Sequence, residues 1–182
     1  MTLLILGLVL WSAAHLLKRL APGLRASLGG APGKIVVSIA ALGAIYLMVS
    51  GFRTAEAVTV WSPPAFLTHV NNLLMLIAVF LVNLGYSRGL VRSKIRHPML
   101  AAVKTWAVAH LLVNGDRAGM VLFGGLLAWA VLTLILINRQ EPEWQRPVAG
   151  PLRNDLIYAV AALGVFAVIT SIHARLGVWP FG

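Results

Sequence analysis

Six apolar stretches, each about as long as a helix that crosses a lipid bilayer, occupy most of this 182-residue chain. A transmembrane helix needs roughly 20 mainly apolar residues. Only 11% of the residues are charged and 59% are hydrophobic, whereas an average soluble protein is about 25% charged. A water-soluble globule is therefore excluded. The pattern predicts an all-α fold, a polytopic membrane helix bundle with six transmembrane helices in a single domain, residues 1–182. The stretches start near Thr2, Ile35, Phe66, Met99, Ala118 and Leu156.

The net charge of the chain is +10. Its basic residues are distributed unevenly between the connectors on the two sides of the membrane. Eleven lie in the first, third and fifth connectors and three in the others, while Lys104 falls inside a stretch. Because basic connectors stay in the cytoplasm, both termini are expected outside, in the bacterial inner membrane. Basic residues interleaved with aromatics are absent, so nucleic acid is not an expected partner. The eleven are Lys18, Arg19, Arg25, Lys34, Arg88, Arg92, Lys94, Arg96, Arg139, Arg146 and Arg153, and the three are Arg53, Arg117 and Arg175.

Short connectors rich in glycine and proline separate the stretches, including residues 22–33 and 142–151. Pro98 predicts that the fourth helix begins immediately after Arg96 and His97, because proline suits the first turn of a helix. Residues 114–116 (Asn-Gly-Asp) favour a tight outer turn, after which Asp116 is expected to cap the fifth helix. We also expect Gly124 and Gly125 to permit close helix packing.

Histidine dominates the polar residues of the apolar stretches, where an unpaired polar group is costly. The chain has no cysteine, which excludes thiolate metal sites and covalent haem attachment. Imidazoles from facing helices can hold the iron of a b-type haem, so bis-histidine haem b is a reasonable cofactor. Two ligands of one haem must lie at similar depths in the membrane. The expected depths place His69 with His110 near the outer face and His15 with His97 near the inner face. The five histidines are His15, His69, His97, His110 and His173.

Residues one helical turn from these histidines are candidates to line a cofactor site. Trp106 precedes His110 as Trp11 precedes His15, and Asn72 shares a helix face with His69. Arg96 and His97 are a candidate clamp for an anion or ligand at the positive end of the fourth helix, and Lys104 projects from nearly the same face. The alternative interpretation is structural: histidines bridging helices, tryptophans packing, and Lys104 extending to the inner headgroups.

Two segments carry a resemblance to a known family. The first runs from residue 11 (Trp-Ser-Ala-Ala-His) to residue 29, and the second from residue 96 (Arg-His-Pro-Met-Leu) to the Asn-Gly-Asp turn at residue 116. With residues 67–76, they resemble the NnrU family of polytopic bacterial membrane proteins, named from gene clusters of nitrite and nitric oxide respiration. The resemblance implies a role in that metabolism.

The NnrU family is itself similar to the 15-cis-zeta-carotene isomerase, a membrane enzyme that holds haem b. That similarity implies His15 and His110 as iron ligands and a possible isomerisation of a double bond. The isomerase has a cysteine three residues before the second histidine, where this chain has Ala107. We therefore predict haem binding through His110 with His15 or His69, without assigning catalytic residues.

Two other classes of function stay open, and with them whether the chain is an enzyme. The Arg-His-Pro sequence at residues 96–98 resembles a motif of membrane methyltransferases that use S-adenosylmethionine. Their paired-glutamate segment has a broken counterpart in Glu141 and Glu143. The third hypothesis is a non-catalytic assembly factor, bound to another membrane protein or to further copies of itself.

Overall fold

The computed structural model describes residues 1–181, which contain seven α-helices and no β-strand beyond one isolated bridge. The helices are α1 (Thr2–Leu20), α2 (Pro22–Ser27), α3 (Ala31–Arg53), α4 (Leu67–Leu84), α5 (Pro98–Val113), α6 (Arg117–Gln140) and α7 (Leu152–Arg175). A single 3-10 turn, Arg92–Lys94, lies between α4 and α5. The all-helical prediction is confirmed.

Five of these helices, α1, α3, α4, α6 and α7, are long and apolar enough to cross a membrane. Their outward faces carry large apolar side chains, among them Leu42 on α3 and Val160 on α7, which are 67% and 68% exposed. Large apolar side chains in such numbers on helix surfaces would be unfavourable in water but suit contact with lipid. The chain is therefore a membrane-type helical protein.

The fourth expected stretch forms α5, which has only 16 residues and would span about 24 Å at 1.5 Å per residue. Its boundaries follow the sequence signals. Pro98 occupies the first turn, and Asn114 ends the helix with its side-chain amide donating to the His110 carbonyl at 2.8 Å. Pro98 and Asn114 are too close together in the sequence for a full-length transmembrane helix. The helix is therefore shorter than the roughly 20 residues that the six-span prediction required.

The first connector is more ordered than its glycine and proline content indicated. Residues 22–27 form α2, with Pro22 in its first turn, and α3 begins at Ala31, with Pro32 in its own first turn. Proline is compatible with the first turn because that backbone N–H has no partner within the helix. In this connector proline therefore starts two helices instead of excluding them.

The helices divide into two compact units by their contacts. Unit 1 comprises residues 1–61 and 115–140, and unit 2 comprises residues 62–114 and 141–181. In unit 1, α1 packs against α3 and α6. The main chain of Val58 and Val60 bonds to Arg117 and Gly115 at 2.8 Å in both cases, which ties the connector after α3 to the start of α6.

Close packing in unit 1 depends on glycines where helices cross. A methyl group at Gly7 would lie 2.7 Å from the backbone nitrogen of Met48, and one at Gly125 would lie 2.8 Å from a methyl carbon of Leu8. Both distances are too short for a Cβ contact. The predicted packing role of Gly125 is thus confirmed, whereas Gly124 has nothing within 4 Å of such a position.

In unit 2, α4 packs against both α5 and α7. Leu81 and Leu84 of α4 and Ala102 of α5 form a buried apolar cluster, against which Val91 and Ile95 pack from the connecting segment. This cluster lies at the end of α4 that leads into the basic third connector. It therefore fixes the position of that connector relative to the helices of unit 2.

Candidate functional site

His15 lies on α1 in unit 1 and contacts two tryptophans. Its ring centroid is 3.9 Å from that of Trp11, one turn earlier, and 5.3 Å from that of Trp129 on α6. The Trp11 and Trp129 rings contact each other edge to face at 5.4 Å. The helical spacing between Trp11 and His15 predicted the first contact, but Trp129 reaches the imidazole only because α1 and α6 pack together.

The protonation of the His15 ring follows from its hydrogen bond. Nδ1 lies 2.9 Å from the carbonyl oxygen of Trp11. A carbonyl oxygen can only accept, so Nδ1 must carry the proton and donate it. In the neutral ring, the lone pair is then on Nε2. Because the His15 side chain is exposed in unit 1, this lone pair can coordinate an iron atom.

The two tryptophans beside His15 have unsatisfied polar atoms. Among residues 1–181, the indole nitrogens of Trp11 and Trp129 are buried and have no hydrogen-bond partner. A buried donor without an acceptor costs about 1–3 kcal/mol. The two indoles therefore pack around the imidazole at some cost in stability.

His110 lies on α5 in unit 2, with the ring of Trp106 in edge-to-face contact at 5.2 Å. Its Nδ1 is 3.5 Å from the side-chain nitrogen of Asn114. This distance is at the limit of a hydrogen bond, and the same nitrogen donates to the His110 carbonyl at 2.8 Å, so the contact does not fix the tautomer of the ring. The Nδ1 contact of His110 is thus longer than the 2.9 Å contact of His15, although the sequence analysis ranked His110 first as an iron ligand.

His173, on α7, was not among the predicted ligands but has the same arrangement as His15. Its Nδ1 donates to the carbonyl oxygen of Ile169 at 2.8 Å, and the ring is half-buried. It lies within electrostatic range of His110. The i to i−4 spacing to a carbonyl is available to any helical histidine, so sequence alone could not single it out.

The other predicted ligand of unit 2, His69, is exposed near the start of α4. Asn72, one turn further, accepts a hydrogen bond at 3.1 Å from the side chain of Asn71, which is buried. Asn83 donates to the carbonyl of Val79 at 2.8 Å within the same helix. The side-chain amides of Asn71 and Asn83 therefore donate within α4 and not to His69, while the buried side-chain oxygen of Asn71 has no hydrogen-bond partner in the described residues.

Arg96 and His97 lie where the sequence placed them, at the start of α5, with His97 in the capping position. The Arg96 guanidinium donates to the carbonyl oxygens of Glu141 and Pro142. These contacts account for Arg96 without a ligand, so the motif by itself does not favour a methyltransferase. Lys104 is half-buried two turns into α5.

Sequence reasoning missed Asp155, in the first turn of α7, which is only 2% exposed. One carboxylate oxygen accepts from the hydroxyl of Ser87 at 2.6 Å and the other from the backbone N–H of Val91 at 2.7 Å. Gly89 donates to the Ser87 hydroxyl at 3.0 Å. The chain has five acidic residues, and one at the edge of an apolar stretch was the available signal.

The predicted cap of α6 is confirmed, because the Asp116 carboxylate accepts from the backbone N–H of Gly119 at 2.8 Å. In the part of the chain that is described, no group of three or more histidine, cysteine or acidic side chains is placed to hold a metal ion.

The helices and their apolar surfaces define a polytopic α-helical membrane protein. Within that class the chain belongs to the NnrU family, since the family model described as NnrU protein matches residues 3–180. The resemblance noted in residues 11–29 and 96–116 is thereby confirmed and extends over almost the whole chain. Comparison with curated proteins found no match, and comparison with solved structures found none either.

Proposed function

We propose that this NnrU protein binds b-type haem and that Nε2 of His15 would hold its iron. The observation that carries the proposal is the hydrogen bond from Nδ1 of His15 to the Trp11 carbonyl at 2.9 Å. Histidines that bind metals almost always donate their second ring N–H to such an acceptor, which orients the ring and fixes its tautomer. His15 has this arrangement before any metal is bound.

The surroundings of His15 support the same group. A porphyrin needs apolar and aromatic neighbours, and the imidazole is flanked by the rings of Trp11 and Trp129. Haem held there would supply an iron atom for binding diatomic ligands or for transfer of single electrons. The residues of this chain would hold the iron through His15 and supply apolar walls through the two indoles. His110 and His69 remain predicted ligands.

For the biological role we propose chemistry linked to nitrite or nitric oxide, as the family resemblance implies. A carotene-isomerase reaction has less support. Ala107 occupies the position of the isomerase cysteine, is fully buried, and has no atom that can ligate iron. If this role is correct, deleting the gene should impair denitrifying growth or tolerance to nitric oxide; unchanged growth would argue against it.

We further propose that α5 crosses the membrane together with the five longer helices, which gives six spans with both termini outside the bacterial inner membrane. The uneven distribution of basic residues supports this orientation. A helix of 16 residues can cross if the bilayer thins locally and flanking side chains reach the interface. Arg92 and Lys94 at one end and Arg117 at the other are suitable flanking residues.

An absorption spectrum tests haem binding directly. Protein produced with an adequate haem supply and purified in detergent should show a Soret band. The His15→Ala variant should lose most of it, because the proposed iron ligand is removed. Ser12→Ala is the matched control, since it removes a polar group one turn earlier on α1 and should leave the spectrum unchanged.

A rescue experiment separates ligation from a purely structural role. In His15→Gly, added imidazole should restore the Soret band by replacing the missing side chain. A structural role would not be restored in this way. Colourless wild-type protein, or a full band in His15→Ala, would contradict the assignment of His15. Spectra of His110→Ala and His69→Ala test the ligands that the sequence predicted.

A further inference from the structure

A cavity of about 450 Å³ lies in unit 2, on the connector between α4 and α5. One wall is the turn that contains Ser87, Arg88, Gly89 and Arg92, and the other is formed by Pro147 and Val148 of the extended segment before α7. Ligand pockets typically have volumes of about 300–1,000 Å³. The cavity is therefore large enough for a phosphate group and part of the molecule that carries it.

The charge of the cavity comes from Arg88 and Arg92. Neither forms an ion pair with an acidic side chain anywhere in residues 1–181, and the Arg88 guanidinium has no hydrogen-bond partner there. One nitrogen of Arg92 donates to the carbonyl of Ile95 at 2.9 Å, which orients the group and leaves its other donors available. Two guanidinium groups beside one cavity favour an anion with several oxygens.

Asp155, the acidic residue that contacts this turn, forms no ion pair with either arginine in the described residues. Both its oxygens are engaged by the Ser87 hydroxyl and the Val91 N–H, and the side chain is only 2% exposed. A methyl group at Gly89 would overlap that carboxylate. Asp155 thus holds the shape of the turn from inside while the arginines lie on its open side.

The backbone that carries Arg88 is also held from the α7 side. The side-chain amide of Asn154 donates to the Arg88 carbonyl at 3.4 Å, and a methyl group at Gly150 would overlap the same carbonyl oxygen. Two residues of the segment at the start of α7 therefore lie against the backbone of Arg88. A preorganised backbone reduces the entropy lost when its arginine binds a ligand.

From these observations we propose that the Arg88–Arg92 cavity binds a phosphate group. The connector belongs to the basic side of the chain, where anionic lipid headgroups are concentrated, so the phosphate can come from a phospholipid or from a free phosphate compound. The site is independent of the proposed haem ligand, which lies in unit 1. Failure of either proposal leaves the other in place.

The test is a binding titration on purified protein in an uncharged detergent, with three probes: dihexanoyl phosphatidylglycerol, inorganic phosphate and dihexanoylglycerol, which lacks phosphate. Arg88→Gln and Arg92→Gln should each weaken binding of the lipid phosphate about tenfold, because a charge-assisted contact is lost. The matched control Arg153→Gln removes an exposed charge on α7 outside the cavity and should change binding less than about twofold.

Arg88→Lys keeps the charge but loses the planar pair of donors, and we expect a loss between those of the wild type and Arg88→Gln. Monodispersity and helical content will show whether Arg88→Gln folds. If it does not fold, the binding of Arg88→Lys is compared with that of the wild type instead. Binding of inorganic phosphate with the same dependence on Arg88 identifies a free phosphate compound, whereas binding of the lipid alone identifies a headgroup. The proposal would be overturned if Arg88→Gln, Arg92→Gln and Arg153→Gln weakened binding equally. It would also be overturned if dihexanoylglycerol, which lacks phosphate, bound as well as the two phosphate probes.

Discussion

At the scale of single residues, Asp155 shows how much one side chain can organise in a chain with few charges. It is buried at the start of α7, where the positive end of the helix favours a carboxylate. Its two hydrogen bonds reach across 68 and 64 positions of sequence to Ser87 and Val91. Asp155 thereby holds the segment that follows α4 against α7. It also shapes one side of the arginine-lined cavity.

We predict that Asp155→Ala destabilises the protein, because it leaves the Ser87 hydroxyl and the Val91 N–H without their acceptor. The expected loss is about 1–3 kcal/mol in the free energy of unfolding. Unfolding in detergent, followed by circular dichroism as denaturant is added, measures it. Asp155→Asn should lose less, since one amide oxygen still accepts.

The control for this prediction is Glu143→Gln, which alters an exposed acidic residue of the same unit. Its effect should stay within about 0.5 kcal/mol. Equal stability of Asp155→Ala and the wild type would mean that the two hydrogen bonds contribute nothing net, and that the turn is held by its apolar neighbours.

At the scale of helices, α1 is the element around which unit 1 is built. Gly7 and Gly51 allow α3 to approach it, since a methyl group at Gly51 would overlap the backbone of Leu4. On its other side Leu8 packs over Gly125 of α6. Close helix contact through small residues is the main source of packing energy in lipid, where water provides no driving force.

We predict opposite effects for alanine at two helical glycines. Gly7→Ala should destabilise by about 1–3 kcal/mol, because the added methyl group meets backbone atoms of α3 that cannot rotate away. Gly124→Ala has open space around it and should be neutral or should stabilise by up to about 1 kcal/mol, because alanine favours a helix. The same denaturation measurement compares them.

A destabilised Gly124→Ala would indicate that a surface of α6 is in contact with something outside unit 1. Unchanged stability in Gly7→Ala would show that α1 and α3 can separate slightly without loss. Either result would revise the packing of unit 1, and neither bears on the proposed haem ligand.

At the scale of the whole molecule, the proposed six-span topology turns on whether α5 crosses the membrane. The absence of cysteine permits a clean test, because every introduced thiol is the only one. We predict that a membrane-impermeant maleimide labels Ser62→Cys in intact cells. Tyr86→Cys and Gln145→Cys should be labelled only after the membrane is permeabilised.

The pair Tyr86→Cys and Gln145→Cys decides the role of α5. Both positions are exposed, and because α6 is long enough to span, they lie on the same side if α5 also crosses and on opposite sides if it does not. Labelling of Gln145→Cys in intact cells, with Tyr86→Cys protected, would show that α5 does not cross and that five helices span the membrane.

Much of the architecture could be predicted from the sequence because it depends on local and compositional rules. Apolar length located all six long helical segments, Pro98 and Asn114 marked the ends of α5, and Asp116 marked the cap of α6. Each of these signals acts within one helix or one turn. The candidate site was predicted only in part: the Trp11–His15 and Trp106–His110 contacts follow from helical spacing, whereas the contact of Trp129 with His15 depends on how α1 and α6 pack.

By itself, then, the sequence determined that this chain is helical, apolar and suited to a membrane, since these properties follow from residue composition and from spacing along one helix. The tertiary structure decided which distant residues meet: Trp129 with His15, Asp155 with Ser87 and Val91, and Arg88 and Arg92 with Pro147 and Val148 beside one cavity. Such encounters depend on how helices pack, and packing is set by side-chain shape over many separated positions. No local pattern of residues contains that information.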